Sequence, residues 1–303
     1  MGFYLNLFKS KTKPIRRNLL YYNGLIYFEV IKKIPAGWFE KIGNLIGFEA
    51  YHLFYYERNL SVSQLKKYLK VNEKTAKNIT KEMFCNFAKS FLELFNIEKL
   101  ISDESNIQVE NIDILMKKYQ EGKGVILVSG HIGNWELLVS YFANKGLPIT
   151  VIMRSIYDDR LNKVIIDLRN KWGIESIIRG DSSALGKMKS VLKNKRVLGL
   201  LIDQDTNVPG VFAPFMGEPA YTPKAPAQLS LRFDIPVIFA YTYRVGNKKH
   251  NIVIEDISYA RTGDEEKDIL ELTTILNKKL ENAIKSHPEQ WVWHHRRWKT
   301  KEE

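Results

Sequence analysis

Residues 124–136 read Gly124-Val125-Ile126-Leu127-Val128-Ser129-Gly130-His131-Ile132-Gly133-Asn134-Trp135-Glu136. The four aliphatic residues Val125 to Val128 form a short β-rich run with no polar alternation, the pattern of a strand buried on both faces. That strand ends at Ser129, Gly130 turns the chain, and His131 stands where the chain leaves the sheet. Asn134 suits the N-cap of a following helix. Glu136 then falls in its first turn, where the helix dipole favours a carboxylate. In open α/β sheets ligands bind beyond the carboxyl ends of the strands, so this stretch marks both the fold class and a candidate site.

Downstream, apolar runs alternate with helical segments. Ile149 to Met153, Ser176 to Ile178 and Val197 to Ile202 read as strands, and Asp158 to Trp172 and Ser183 to Lys193 as helices. After a long loop, Lys224 to Phe233 is helical, Val237 to Tyr243 and Asn251 to Ile257 form an antiparallel pair, and Asp264 to Ser286 is a closing helix. The fold class is therefore α/β: a mixed, largely parallel central sheet flanked by helices.

Upstream, residues 18–120 read as helical. Asn72 is an N-cap for a long helix to Phe95. Trp38 to Arg58 reads as one helix, and Ser61 with Gln64 as a capping box opening another. The division expected is an N-terminal helical, membrane-associating region over residues 1–115 and an α/β domain over 116–303, unless both form one compact unit.

The 303 residues carry 46 Lys+Arg against 34 Asp+Glu, a formal net charge of +12. With 45% hydrophobic residues the chain is globular, not disordered. One cysteine, Cys85, excludes a disulfide framework and a thiolate zinc site. The charge points to an anionic partner. No zinc spacing, helix-turn-helix or aromatic RNA motif accompanies it, so no nucleic acid is expected, although a basic nucleic-acid-binding protein is the non-enzyme alternative. Lys9, Lys11, Lys13, Arg16 and Arg17 precede an aromatic, aliphatic stretch from Leu19 to Phe28. That stretch is too short to span a bilayer, which takes about 20 apolar residues. It suits an anionic membrane surface, or else a solvated tail before a core helix.

With the glycine-rich turn between them, Glu136 can fold back onto the His131 imidazole. It would fix the tautomer and free the other nitrogen to accept a proton from an external hydroxyl. By itself this pair favours a structural histidine and a carboxylate that simply stabilises a helix start. Gly130 and Gly133 favour chemistry, because they let a substrate approach the backbone closely.

Gly130 to Glu136 resembles the His-x4-acid motif of the bacterial lipid A biosynthesis acyltransferases. Three further segments resemble that family in the same order: Leu201-Ile202-Asp203-Gln204-Asp205, Phe215-Met216-Gly217 with Ala220 and Thr222, and Gln290 to Lys299 with its Gln-Trp-x-Trp ending. Met216 departs from the family's second Phe. The resemblance implies transfer of a fatty acyl group from a thioester, acyl carrier protein or acyl-CoA, to a hydroxyl of a lipid A precursor or related glycolipid. The work would be done at the cytoplasmic face of the inner membrane by a peripheral or shallowly inserted protein. No cofactor beyond that co-substrate and no metal is implied. His131 would be the general base, Glu136 its orienting carboxylate and Arg169 the oxyanion donor, with Arg154 as competitor. Asn134, Trp135, Asp203, Gln204, Asp205, Arg296 and Arg297 are the remaining candidate substrate-binding residues, the two arginines lying near anionic groups beside a final strand of packed indoles. An acyltransferase acting from acyl-CoA on another acceptor, such as a phosphoinositide mannoside, ornithine or glycerol lipid, would use the same residues.

Overall fold

β2 (Val125–Ser129) lies at the middle of a seven-stranded sheet of order β1-β9-β8-β2-β5-β3-β4. The structure is a computed structural model and describes residues 18, 21, 22, 24, 25, 27–155, 158–180 and 183–302. The N-terminal basic cluster (Lys9 to Arg17) and Leu19, Leu20 and Ile26 lie outside the described residues. β1 (Ile107–Glu110), β3 (Ile149–Arg154), β4 (Glu175–Arg179), β5 (Val197–Leu201), β8 (Val237–Arg244) and β9 (His250–Asp256) complete the sheet. Every neighbouring pair is parallel except β8 with β9. β2 is buried on both faces, as its unbroken aliphatic run requires: Ile126 and Val128 enter one core, Val125 and Leu127 the other.

Ten helices flank or precede the sheet among the described residues: α2 (Phe39–Leu53), α3 (Tyr55–Tyr68), α4 (Glu73–Leu94), α5 (Ile97–Ile101), α6 (Ile112–Gln120), α7 (Trp135–Asn144), α8 (Asp159–Asn170), α9 (Ala184–Lys193), α10 (Ala225–Phe233) and α11 (Glu265–Ser286), after helical residues 27–33, called α1. Asn72 caps α4 as expected, its Oδ1 accepting from the Thr75 amide at 2.9 Å. α2 packs so closely on α4 that a Cβ at Gly47 would sit 2.3 Å from the Cys85 Cα.

Four expectations are corrected. Ile107–Glu110 lies inside the stretch read as helical, yet it is the edge strand β1, paired in parallel with β9; four residues are too few to display a period. It also precedes residue 116 while belonging to the sheet. Ser61 does not open a helix: its hydroxyl donates to the Glu57 carbonyl at 2.8 Å inside α3, and the chain breaks earlier, at Phe54. The long loop after β5 contains a hairpin, β6 (Gly210–Phe215) with β7 (Glu218–Pro223). Its two-residue turn, Met216-Gly217, has positive φ at both positions, the geometry that matches strand twist. The segment after α11 is not a strand. It makes one isolated bridge, Ile132 with Trp291, and otherwise turns.

No helix among the described residues is long and apolar enough to cross a membrane. α2, the α2–α3 break and α4 nevertheless expose Trp38, Leu45, Leu53, Phe54, Tyr55, Tyr56, Phe87 and Phe91. Exposed apolar area on this scale marks an interaction surface.

Candidate active site

The parallel register of β2 and β5 builds the site. Ser129 is opposite Leu201, so His131 and Asp203 each lie two residues beyond a paired strand end. The His131 ring Nδ1 is 2.7 Å from Asp203 Oδ1, and the His131 backbone N–H donates to Asp203 Oδ2 at 2.6 Å. Trp291 Nε1–H donates to the same Oδ2 at 2.8 Å. Burial alone raises the Asp203 carboxyl pKa, but the His131 charge and these donors outweigh it and hold the group well below the usual carboxylate range. An ionised carboxylate only accepts, so Nδ1 carries a proton, and in the neutral ring the lone pair is on Nε2.

The carboxylate on His131 is therefore Asp203 and not Glu136. Glu136 grips Arg169 instead: Nη2 meets Oε1 at 2.5 Å and Nε meets Oε2 at 3.0 Å. Arg169 Nη1 donates to Met153 Sδ and Ser176 Oγ, each at 3.3 Å. Most of the guanidinium expected at an oxyanion is thus engaged in a bidentate pair with the residue expected on the imidazole. Gly130 and Gly133 make room for the chain itself. A Cβ at Gly133 would sit 1.9 Å from the Thr242 carbonyl oxygen, and one at Gly130 would meet Leu280 at 2.6 Å and Asp203 Oδ2 at 3.1 Å. The molecule's own chain, rather than a substrate, occupies the space they leave.

His131, Trp135, Glu136, Arg169, Arg154 and Gln204 all line one cavity of about 550 Å³. Much of its lining is apolar, with Leu127, Leu138, Val139, Val151, Met153, Leu185 and Met188. Gln204 Nε2 lies 3.2 Å from His131 Nε2 and 2.8 Å from His295 Nε2. Burial pulls His295 down to about 4, with the His131 charge adding to it, so His295 is neutral near pH 7 and accepts from that amide. The Trp135 ring meets His131 edge-on at 4.9 Å and Phe87 at 6.3 Å, which joins the exposed aromatic face to the histidine.

The other expected site residues make contacts within the chain. Asn134 caps α7, accepting from Leu137 N at 3.0 Å, and its amide donates to buried Glu93 at 2.9 Å. Asp205 accepts from Thr300 N and Oγ1 and ties down the C-terminal tail. Arg296 reaches Tyr56 on α3. Arg297 is fully buried, donating to the Tyr221 carbonyl and Thr222 Oγ1 at 2.6 Å each, and burial lowers it to about 10. It braces the β6–β7 hairpin, and the charges of Asp203 and Asp205 partly offset the effect of its burial. Trp291 was expected as a packed indole and not as a donor to Asp203, and His295 and the Glu93 cluster had no assigned part; the tail motif containing Trp291 and His295 was the available signal.

A family model described as bacterial lipid A biosynthesis acyltransferase matches residues 8–300. The chain belongs to that family. Among curated relatives, it is similar to a phosphatidylinositol mannoside acyltransferase of Mycobacterium tuberculosis, 23% identical over 185 residues, covering 60% of this chain and 57% of the relative. It is also similar to a phosphatidylinositol mannoside acyltransferase of Mycolicibacterium smegmatis, 21% identical over 218 residues, covering 71% and 70%. The match thus spans somewhat over half of the first relative's length. Within the family match lie both the imidazole–carboxylate pair and the cavity they face.

Proposed function

We propose that this chain transfers a fatty acyl group from a carrier thioester to a hydroxyl of a membrane glycolipid. The observation that carries this reading is the His131–Asp203 pair, with His131 lining a cavity whose wall is largely apolar. Nε2 removes the hydroxyl proton as the oxygen attacks the thioester carbonyl. Asp203 stabilises the imidazolium and keeps its own charge. As the carbonyl re-forms, the C–S bond breaks and the thiolate takes the proton back from His131, leaving an ester and a free thiol.

The acyl chain lies in the apolar part of the cavity, where each buried methylene contributes about 0.8 kcal/mol. Acyl carrier protein and acyl-CoA both present such a thioester. The relatives' names favour a mannosylated phosphoinositide over a lipid A precursor as acceptor. Labelled palmitoyl-CoA and palmitoyl carrier protein, each offered with both acceptors, test the reading. An esterified glycolipid in at least one combination is expected. Release of free fatty acid only, by correctly folded protein, would reject it.

Two further results are expected. Gly199 lies on the cavity wall, and a Cβ there would meet Val151 Cγ1 at 3.1 Å. Gly199→Val should therefore fill space used by the chain end and shift preference from palmitoyl toward lauroyl donors about tenfold. Competition between the two donors reads this directly, and an unchanged ratio would place the chain elsewhere. The exposed face around the α2–α3 break supports docking of a peripheral protein on an anionic leaflet, in keeping with work at the cytoplasmic face of an inner membrane. Leu53 is 77% exposed. Leu53→Glu should weaken co-sedimentation with anionic vesicles several-fold and leave turnover of detergent-dispersed substrate intact.

A further inference from the structure

β3 and β4 end side by side, and Arg154 and Arg179 are register partners at their carboxyl ends. Both side chains line the cavity that holds His131. Like charges placed opposite each other on neighbouring strands repel. Arg169, on the same wall, is neutralised by Glu136. Neither Arg154 nor Arg179 has an acidic partner among the described residues, and burial with the neighbouring Arg154 charge lowers the Arg179 pKa. Two adjacent guanidiniums facing a cavity, with no counter-charge among the described residues, are arranged for a ligand that supplies one. Their forked donors match the oxygens of a phosphate.

We propose that Arg154 and Arg179 form a phosphate-binding subsite that anchors the phosphate ester of one of the two substrates. This rests on the reading of His131 as the reacting centre. The sheet order runs β2-β5-β3-β4. With neighbouring strands about 4.8 Å apart, Arg154 lies two steps from the strand bearing His131, about 10 Å, and Arg179 three steps, about 14 Å. A phosphate held there does not touch the bonds being made. It is a remote handle whose binding energy positions the reacting group. The donor carries such a phosphate on its pantetheine arm, and a glycosylated phospholipid acceptor carries one at its glycerol.

Equilibrium binding to the purified full chain tests this with four probes, none of which reacts. S-hexadecyl-CoA is compared with S-hexadecyl-pantetheine, which lacks phosphate. Deacylated phosphatidylinositol mannoside is compared with mannosyl-inositol, which also lacks it. Arg179→Gln and Arg154→Gln should each weaken one phosphate-bearing probe by about 10- to 100-fold, while its phosphate-free counterpart changes less than about twofold. Loss confined to the CoA pair assigns the phosphate to the donor, and loss confined to the inositol pair assigns it to the acceptor. Arg179→Lys should restore part of the affinity. Failure of the wild-type chain to bind either phosphate probe, unchanged affinities in both variants, or equal losses for the phosphate-free probes would overturn the proposal. Because no turnover is read, absence of acyl transfer would count against His131 as the reacting centre and leave this measurement standing.

Discussion

Asp203→Asn is expected to slow acyl transfer by about 10³- to 10⁴-fold, as inversion of an imidazole tautomer does in hydrolytic triads. Two donors, the His131 backbone N–H and Trp291 Nε1–H, converge on Oδ2. An asparagine must turn its carbonyl oxygen toward them, which directs its NH2 at Nδ1. Nδ1 then has to accept, the proton moves to Nε2, and the nitrogen facing the cavity can no longer take a proton from a hydroxyl. The substitution is nearly isosteric, so the loss should appear in kcat with little change in substrate KM or melting temperature. Glu136→Gln is the control. It disturbs a pair with Arg169 and leaves the imidazole tautomer alone, so an equally large kcat loss with unchanged KM would argue for Glu136 on the imidazole after all. Nitrogen NMR of labelled His131 should find the proton on Nδ1 in the wild type and on Nε2 in Asp203→Asn.

Glu93→Ala should be the most damaging substitution for stability, by about 3–5 kcal/mol. Glu93 on α4 is fully buried; it binds Arg244 of β8 through both oxygens, accepts from Asn134, the cap of α7, and lies 3.3 Å from His250 of β9. Removing it leaves a guanidinium buried without its counter-charge and loosens the helix that carries Trp135 and Glu136. Burial alone would raise the Glu93 pKa, but the charges of Arg244 and His250 bring it below the ordinary value. A depressed carboxylate contributes stability above its unfolded pKa, about 4.3, and that contribution is lost as pH falls below this value toward the folded one. Denaturant titration of the wild type should therefore show falling stability below about pH 4.3, and Glu93→Gln a flatter acid limb from a lower start. A wild-type stability of Glu93→Ala would mean that the cluster does not hold α4 to the sheet.

What was legible in the residues follows the range of the interaction that decides each feature. β2 and His131 could be read because four aliphatics and a glycine turn act locally. Asn72 and Asn134 were readable as caps for the same reason. The partner of His131 was not, because Glu136 is near in sequence while Asp203 is near only through the pairing of β5 with β2. Asp203 was quoted within a family motif without its contact. Arg297 is expected from its motif near anionic groups at a substrate; the hairpin carbonyl and hydroxyl that meet it, far away in sequence, explain its burial. That hairpin was itself hidden by Pro209, Pro214, Pro219 and Pro223, which mimic loop composition and are tolerated here because β6 and β7 form a separate two-stranded ribbon whose outer edges are unpaired. Arg154 and Arg179 lie 25 residues apart in sequence (179 − 154 = 25) and meet only through the β3–β4 register.

The most direct measurement is the rate at which purified chain esterifies a glycolipid acceptor from an acyl thioester, compared between wild type and His131→Ala. The account predicts an ester product from the wild type and a fall of at least about 100-fold in the variant, with the melting temperature retained. Near-normal ester formation by His131→Ala would contradict it.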